Sequence, residues 1–177
     1  MTHDRKRQRS ESQAVAIATI GTLAVTVYAG LGMLQILRLN PLAAMPGMTL
    51  DQISAELASA EESLGTPGVL VGMSLGPIIA AALLVGALTR KSMTPRVTSA
   101  LYLIMLVLGA FVYFWASFDP GMALADTFFI RGGDHSPWAI PLYLTSMISF
   151  VALVVVAITG AVHQHRTLSF SPTAKPG

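Results

Sequence analysis

Residues 68–89, GVLVGMSLGPIIAAALLVGALT, run for twenty-two positions without a charge. As an α-helix rising 1.5 Å per residue, the stretch reaches about 33 Å, enough to cross the roughly 30 Å hydrocarbon core of a bilayer. Three more uncharged or nearly uncharged runs follow the same pattern, at about residues 14–37, 97–118 and 138–162. Only 11% of the 177 residues are charged, against roughly 25% in soluble domains. The expectation is an all-α integral membrane protein: a four-transmembrane-helix bundle with an additional amphipathic extracytoplasmic helix between spans one and two.

The connections complete this plan. Residues 1–13 are a polar tail with Arg5, Lys6, Arg7 and Arg9 just ahead of the first span. That span is longer than the apolar core of a cleaved signal peptide and reads as retained. In the loop 38–67, Thr49-Leu50-Asp51-Gln52 matches a capping box, and Leu50, Ile53, Leu57, Ala60 and Leu64 recur at helical spacing. Asp51, Glu56, Glu61 and Glu62 take the other positions, and Gly65 with Pro67 supplies a stop, so an acidic amphipathic helix of about four turns is expected. Its acidity disfavours anionic lipid, which leaves the role of a cap on the protein. Thr94 and Pro95 can open span three, which has few small residues and is expected to face lipid. Asp119-Pro120-Gly121 reads as the turn that opens loop 119–137, and 163–177 reads as a flexible tail.

Two faces stand out for helix packing. Gly68, Gly72, Gly76 and Ala80 fall four apart on span two, as do Ala14, Ala18, Thr22, Thr26 and Gly30 on span one. Apolar surface gains nothing by leaving lipid, so membrane helices associate where small residues let backbones approach. Span one is therefore expected to dock on span two along these faces. Pro77 removes a backbone hydrogen bond within span two and marks a kink.

Charge sets the orientation. The first tail, the loop after span two and the last tail hold nine Lys or Arg and two carboxylates. The two long loops hold two Arg and seven carboxylates. The positive-inside rule then places both termini in the cytoplasm. Arg outnumbers Lys eight to three in a chain rich in Ala and Gly, which suggests a bacterial source and hence the cytoplasmic membrane.

Chemistry is mostly absent. No cysteine is present, which removes disulfides, thiol redox chemistry and thiolate metal sites. The spans contain no Asp, Glu, His, Lys or Arg, the groups on which proton relays and ion-coupled carriers rely. His3, His135, His163 and His165 all lie in loops or at span ends. A copper site from Met45, Met48, Met122 and His135 is conceivable on ligand type alone. No phosphate loop and no basic aromatic groove for nucleic acid occur. The expected function is a non-catalytic subunit or assembly partner of a membrane complex, without cofactor, catalytic residue or metal. Its partners would be the bilayer and other membrane subunits or a second copy. Two alternatives are an oligomeric path for a small neutral or apolar solute, lined by kinked span two with the hydroxyl-bearing spans one and four, and, last, a lipid-modifying enzyme built on Asp119, Asp126, Asp134 and His135.

Overall fold

A computed structural model describes residues 2–89 and 93–169, with side chains described for residues 5, 7–89 and 93–162. Among these, helix is the only regular secondary structure. Helix α1 spans Thr2–Leu34 and passes through a π-helical turn, Gln35–Leu39, into α2, Asn40–Ala44. Then come α3 (Leu50–Ser59), α4 (Thr66–Thr89), α5 (Pro95–Phe128) and α6 (Ala139–Ser169). Four helical stretches, Arg7–Ala44, Thr66–Thr89, Pro95–Phe128 and Ala139–Val162, are long and apolar enough to cross a membrane.

The four long helices do not form a square. Helices α1 and α5 pack on each other at the centre; α4 lies against both, and α6 lies mainly on α5. Helix α5 therefore touches each of the other three long helices, yet much of its surface stays exposed, so the expected lipid face is only one side of span three. Its Thr98, Tyr102 and Tyr113 are buried among the other helices. Of the aromatic residues near its end, Phe111, Phe114, Trp115 and Phe118 point outward, whereas Tyr113 is fully buried. The helix has two faces, and the missing small residues are replaced by tyrosines that reach across the bundle.

Several boundaries move. Helix α1 already begins at Thr2, so the basic stretch ahead of the first span is itself helical from there; Arg7 pairs with Glu11 at 3.2 Å one turn on. Asp119-Pro120-Gly121 is not a turn, since α5 continues to Phe128. Pro120 and Gly121 are buried in the helix, and beyond them Ala123 and Leu124 pack on Ile53 and Leu57 of α3. Burial of each such leucine or isoleucine is worth about 1.5–3 kcal/mol, comparable with the cost of about 3 kcal/mol for a proline in a helix interior. Helix α6 continues past the expected end at 162, and residues 170–177 of the expected tail lie outside the described residues, as do Arg90, Lys91 and Ser92.

Helix α3 is shorter than the spacing implied. Its capping box forms as the sequence suggests: Thr49 N–H donates to Gln52 Oε1 at 2.8 Å and Gln52 N–H to Thr49 Oγ1 at 3.3 Å. The helix then stops at Ser59 instead of running to Gly65. Glu61 adopts φ 60, and the N–H groups of Glu61 and Glu62 bond back to Ala58 and Leu57 at 3.2 and 2.9 Å. These two bonds close the Schellman pattern, in which a left-handed residue satisfies the last helical carbonyls. The turn brings Leu64 back against the Ile53–Leu57 cluster.

Candidate functional site

The densest polar arrangement lies at the α3 end of the bundle and begins with the π-helical turn. In an α-helix, residues five apart differ by about 140° around the axis. In the wider π-turn Asn40 N–H bonds to Gln35 carbonyl, i to i−5, and the two side chains come to face the same loop. Pro41, with no N–H to offer, follows at once and ends the widened turn. Gln35 is fully buried and donates from Nε2 to the Ser136 carbonyl at 3.3 Å. Asn40 donates from Nδ2 to the Gly133 carbonyl at 3.2 Å. Its Oδ1 accepts from the N–H groups of His135 and Ser136 at 2.6 and 3.4 Å. Two amides thus satisfy the backbone of residues 133–136, which must otherwise pair within a short irregular loop.

That anchored loop fixes Asp134. Tyr113, fully buried on α5, donates its hydroxyl to Asp134 Oδ1 at 2.5 Å, and Tyr143 of α6 donates to Oδ2 at 3.3 Å. The two tyrosine rings meet edge to face, with centroids 5.5 Å apart. Asp134 also borders a cleft of about 290 Å³ between α5, α6 and the loop, whose walls include Phe114, Phe118, Met122 and Tyr143. Arg7–Glu11 is the only ion pair among the described residues, so no cationic side chain balances this carboxylate.

The other residues singled out in the sequence disperse. Asp119 lies against Gly65, where an added Cβ would come 2.9 Å from Oδ2, and Asp126 is exposed on α5. His135 turns its Nε2 to the Arg131 carbonyl at 2.8 Å. Met45 and Met48 pack against the α3 cluster, whereas Met122 borders the cleft, so these thioethers do not converge with His135. No group of three His, Asp or Glu side chains gathers among the described residues. The side chains of His163 and His165 lie outside them. Asp51, Glu56, Glu61 and Glu62 are exposed around α3 while its Ile53 and Leu57 rest on α5.

The two small-residue faces meet over part of their length only. Helix α1 does pack on α4. Ala14, Ala18 and Ala80 are buried, and a Cβ on Gly76 would come 3.3 Å from Val25 Cγ1. Thr22 lies 3.2 Å from the Ala80 carbonyl and 2.9 Å from the hydroxyl of Tyr102, which itself donates to Ala80 at 2.9 Å. Thr26 is exposed and bonds to its own helix, and Gly30 and Gly68 have open space where a Cβ would project. Gly72 faces Ala116 of α5 at 3.9 Å, not α1. Two straight rows drawn four apart can stay in register only where the helices remain close, and here α5 occupies the position that the lower half of the contact would need.

Apart from Gly76, the glycines that a side chain crowds most closely are ones the spacing did not select. Gly21 lies under the ring of Tyr102, Gly32 under the Met73 methyl, and Gly109 under Tyr28, whose ring would be 2.8 Å from an added Cβ. Tyr28 then reaches Ser146 at 3.3 Å, and Ser146 donates to the Leu106 carbonyl at 2.7 Å. Gly160 makes room for Arg96, which donates to the Val156 carbonyl and to Thr159, each at 3.1 Å. An isolated glycine opposite a tyrosine on another helix has no period, so no spacing rule finds it.

Comparison with family models, curated proteins and solved structures finds no match to this chain.

Proposed function

We propose that this is a multi-pass protein of the bacterial cytoplasmic membrane, with both termini in the cytoplasm, that serves as a non-catalytic subunit or assembly partner of a membrane complex. The topology draws support from charge. Arg5, Arg7, Arg9 and Arg96 belong to the end of the bundle where the start of α1 meets the end of α4, while Asp51, Glu56, Asp119, Asp126 and Asp134 belong to the opposite end.

The observation that carries the functional reading is the unfilled side of α4. Gly68 and Gly72 border an open groove of about 300 Å³ with Phe111, Trp115 and Ala116 of α5. Small residues on the outside of a membrane helix leave room for the backbone of another helix. Meanwhile many intramembrane hydroxyls are engaged inside the chain. Thr19, Thr22, Thr145 and Thr159 bond to carbonyls four residues back, and Ser146 bonds across to α5. The alternative, a path for a small neutral or apolar solute, has less support, because the cleft beside Pro77, about 220 Å³, is walled by α1, α4 and α5 and holds neither a residue of span four nor a Ser or Thr hydroxyl.

The test is to purify the protein from its host membrane in mild detergent and to compare it with a Gly68→Leu variant. A component that accompanies the parent chain in fixed ratio and is lost from the variant, with thermal stability unchanged, is the expected result. Recovery of the parent chain alone overturns the reading and directs attention to solute flux in vesicles.

A further inference from the structure

We propose that the cleft beside Asp134 binds an alkylammonium group, with the carboxylate as its counter-ion and the rings of Phe114, Phe118 and Tyr143 as its walls. Three independent features meet there. The first is a charge without a partner: Asp134 is oriented by two neutral phenols and meets no cation among the described residues. The second is the wall chemistry. Phe114 and Phe118 stand one turn apart on α5 with ring centroids 6.2 Å apart, tilted by 51°, and Tyr143 stands across from them on α6. A cation over such faces is attracted to the ring quadrupoles, and quaternary ammonium groups are recognised in this way. The third is size, since about 290 Å³ is at the small end of the range for ligand clefts and admits a headgroup-sized cation.

A metal ion fits less well. Hard divalent cations require six or more oxygen ligands, and Asp134 is the only carboxylate on the cleft. An alkylammonium needs one counter-charge and apolar surroundings for its methyl or methylene groups. The orientation of Asp134 is prepared in advance, because Gln35 and Asn40 hold its loop and Tyr113 holds its side chain. Little ordering then remains to be done on binding. The same chemistry is carried by a soluble amine and by an amino-phospholipid headgroup, and the cleft lies at the end of apolar helices where both are within reach.

Two arms of one experiment separate these sources. In the first, purified protein in detergent is titrated with choline chloride and with ethanolamine hydrochloride against equal sodium chloride, and tryptophan fluorescence is followed. Trp115 borders the neighbouring groove, not the cleft, but its ring lies 6.2 and 6.5 Å from those of Phe114 and Phe118, close enough for a ligand against them to alter its emission. In the second, protein reconstituted with equal phosphatidylethanolamine and phosphatidylglycerol is released for native mass spectrometry, and retained lipid is identified. A saturable response to the free amines supports a soluble ligand. Selective retention of phosphatidylethanolamine without that response supports a lipid headgroup. In either arm Asp134→Asn, which keeps an acceptor for Tyr113, is expected to weaken binding by about tenfold or more. The exposed Phe118, changed to Leu, is expected to weaken it several-fold. Binding unchanged in either variant overturns the proposal, as does a parent protein that neither responds to the amines nor prefers the amino-lipid.

Discussion

The ring of Tyr102 lies over the backbone of Gly21, and the hydroxyl at its far end reaches the Ala80 carbonyl at 2.9 Å. One side chain on α5 therefore joins α1 to α4, with Thr22 2.9 Å from the same hydroxyl. Replacing Gly21 by Ala puts a methyl inside the ring and must displace it. Overpacking of this kind costs about 1–3 kcal/mol. The Tyr102→Phe change keeps the ring and loses only the hydrogen bond, at about 0.6 kcal/mol for a typical interhelical bond in a bilayer. Unfolding titrations in detergent mixtures should rank Gly21→Ala well below Tyr102→Phe. The reverse order would mean that the hydroxyl, not the glycine seat, holds these helices together.

Gly76 and Gly68 lie two turns apart on α4 yet should respond differently to leucine. At Gly76 a Cβ already comes 3.3 Å from Val25, so the longer side chain pushes α1 and α4 apart and lowers thermal stability. At Gly68 no atom lies within 4 Å of an added Cβ, and stability should stay within about 0.5 kcal/mol of the parent. Equal melting temperatures for the two variants would contradict this asymmetry.

Asn40 makes three hydrogen bonds to the backbone of residues 133–136. The change Asn40→Leu leaves those backbone groups without their partner, a penalty of about 1–3 kcal/mol where they are buried. The loss should be local. Hydrogen exchange of the amides of His135 and Ser136 is expected to accelerate while that of α4 stays as in the parent. A uniform acceleration through all helices would show instead that the loop anchor supports the whole bundle.

Glu61 holds a left-handed conformation, φ 60, at the end of α3. For a residue with a Cβ that conformation costs about 1 kcal/mol, which glycine avoids. Glu61→Gly should therefore leave α3 intact and be neutral or stabilising, by up to about 1 kcal/mol. A loss of stability would point to a role for the Glu61 carboxylate that its exposed position does not suggest.

The spans were legible because length and apolarity are sums over many residues, and no single contact can reverse them. Local chemistry was equally readable at Thr49 and Gln52, whose caps involve groups three residues apart. Legibility ended wherever a distant element overruled a local rule. Pro120 reads as a turn, yet Ala123 and Leu124 beyond it find Ile53 and Leu57 and keep the helix going. The candidate site was legible in part. Asp134 and His135 were visible as residue types, but Gln35 is an amide within a span and Asn40 an amide just past its end, so neither signals a partner by sequence. A π-turn followed by Asn-Pro is the one local sign that they share a face.

What the sequence determined by itself was the class: a chain with four apolar stretches of bilayer length, a charge asymmetry between loops, and hardly any group able to do chemistry within the spans. These follow from the cost of placing charge or unpaired backbone in hydrocarbon, which every residue in a span meets alike. Only the tertiary structure decided which glycines matter, that α5 touches the other three long helices, and that Asp134 bonds two tyrosines at the edge of a cleft. Each of those depends on one side chain meeting one particular neighbour on another helix. In a bilayer, where apolar surface confers no preference for one contact over another, the fit between such pairs is what selects the arrangement.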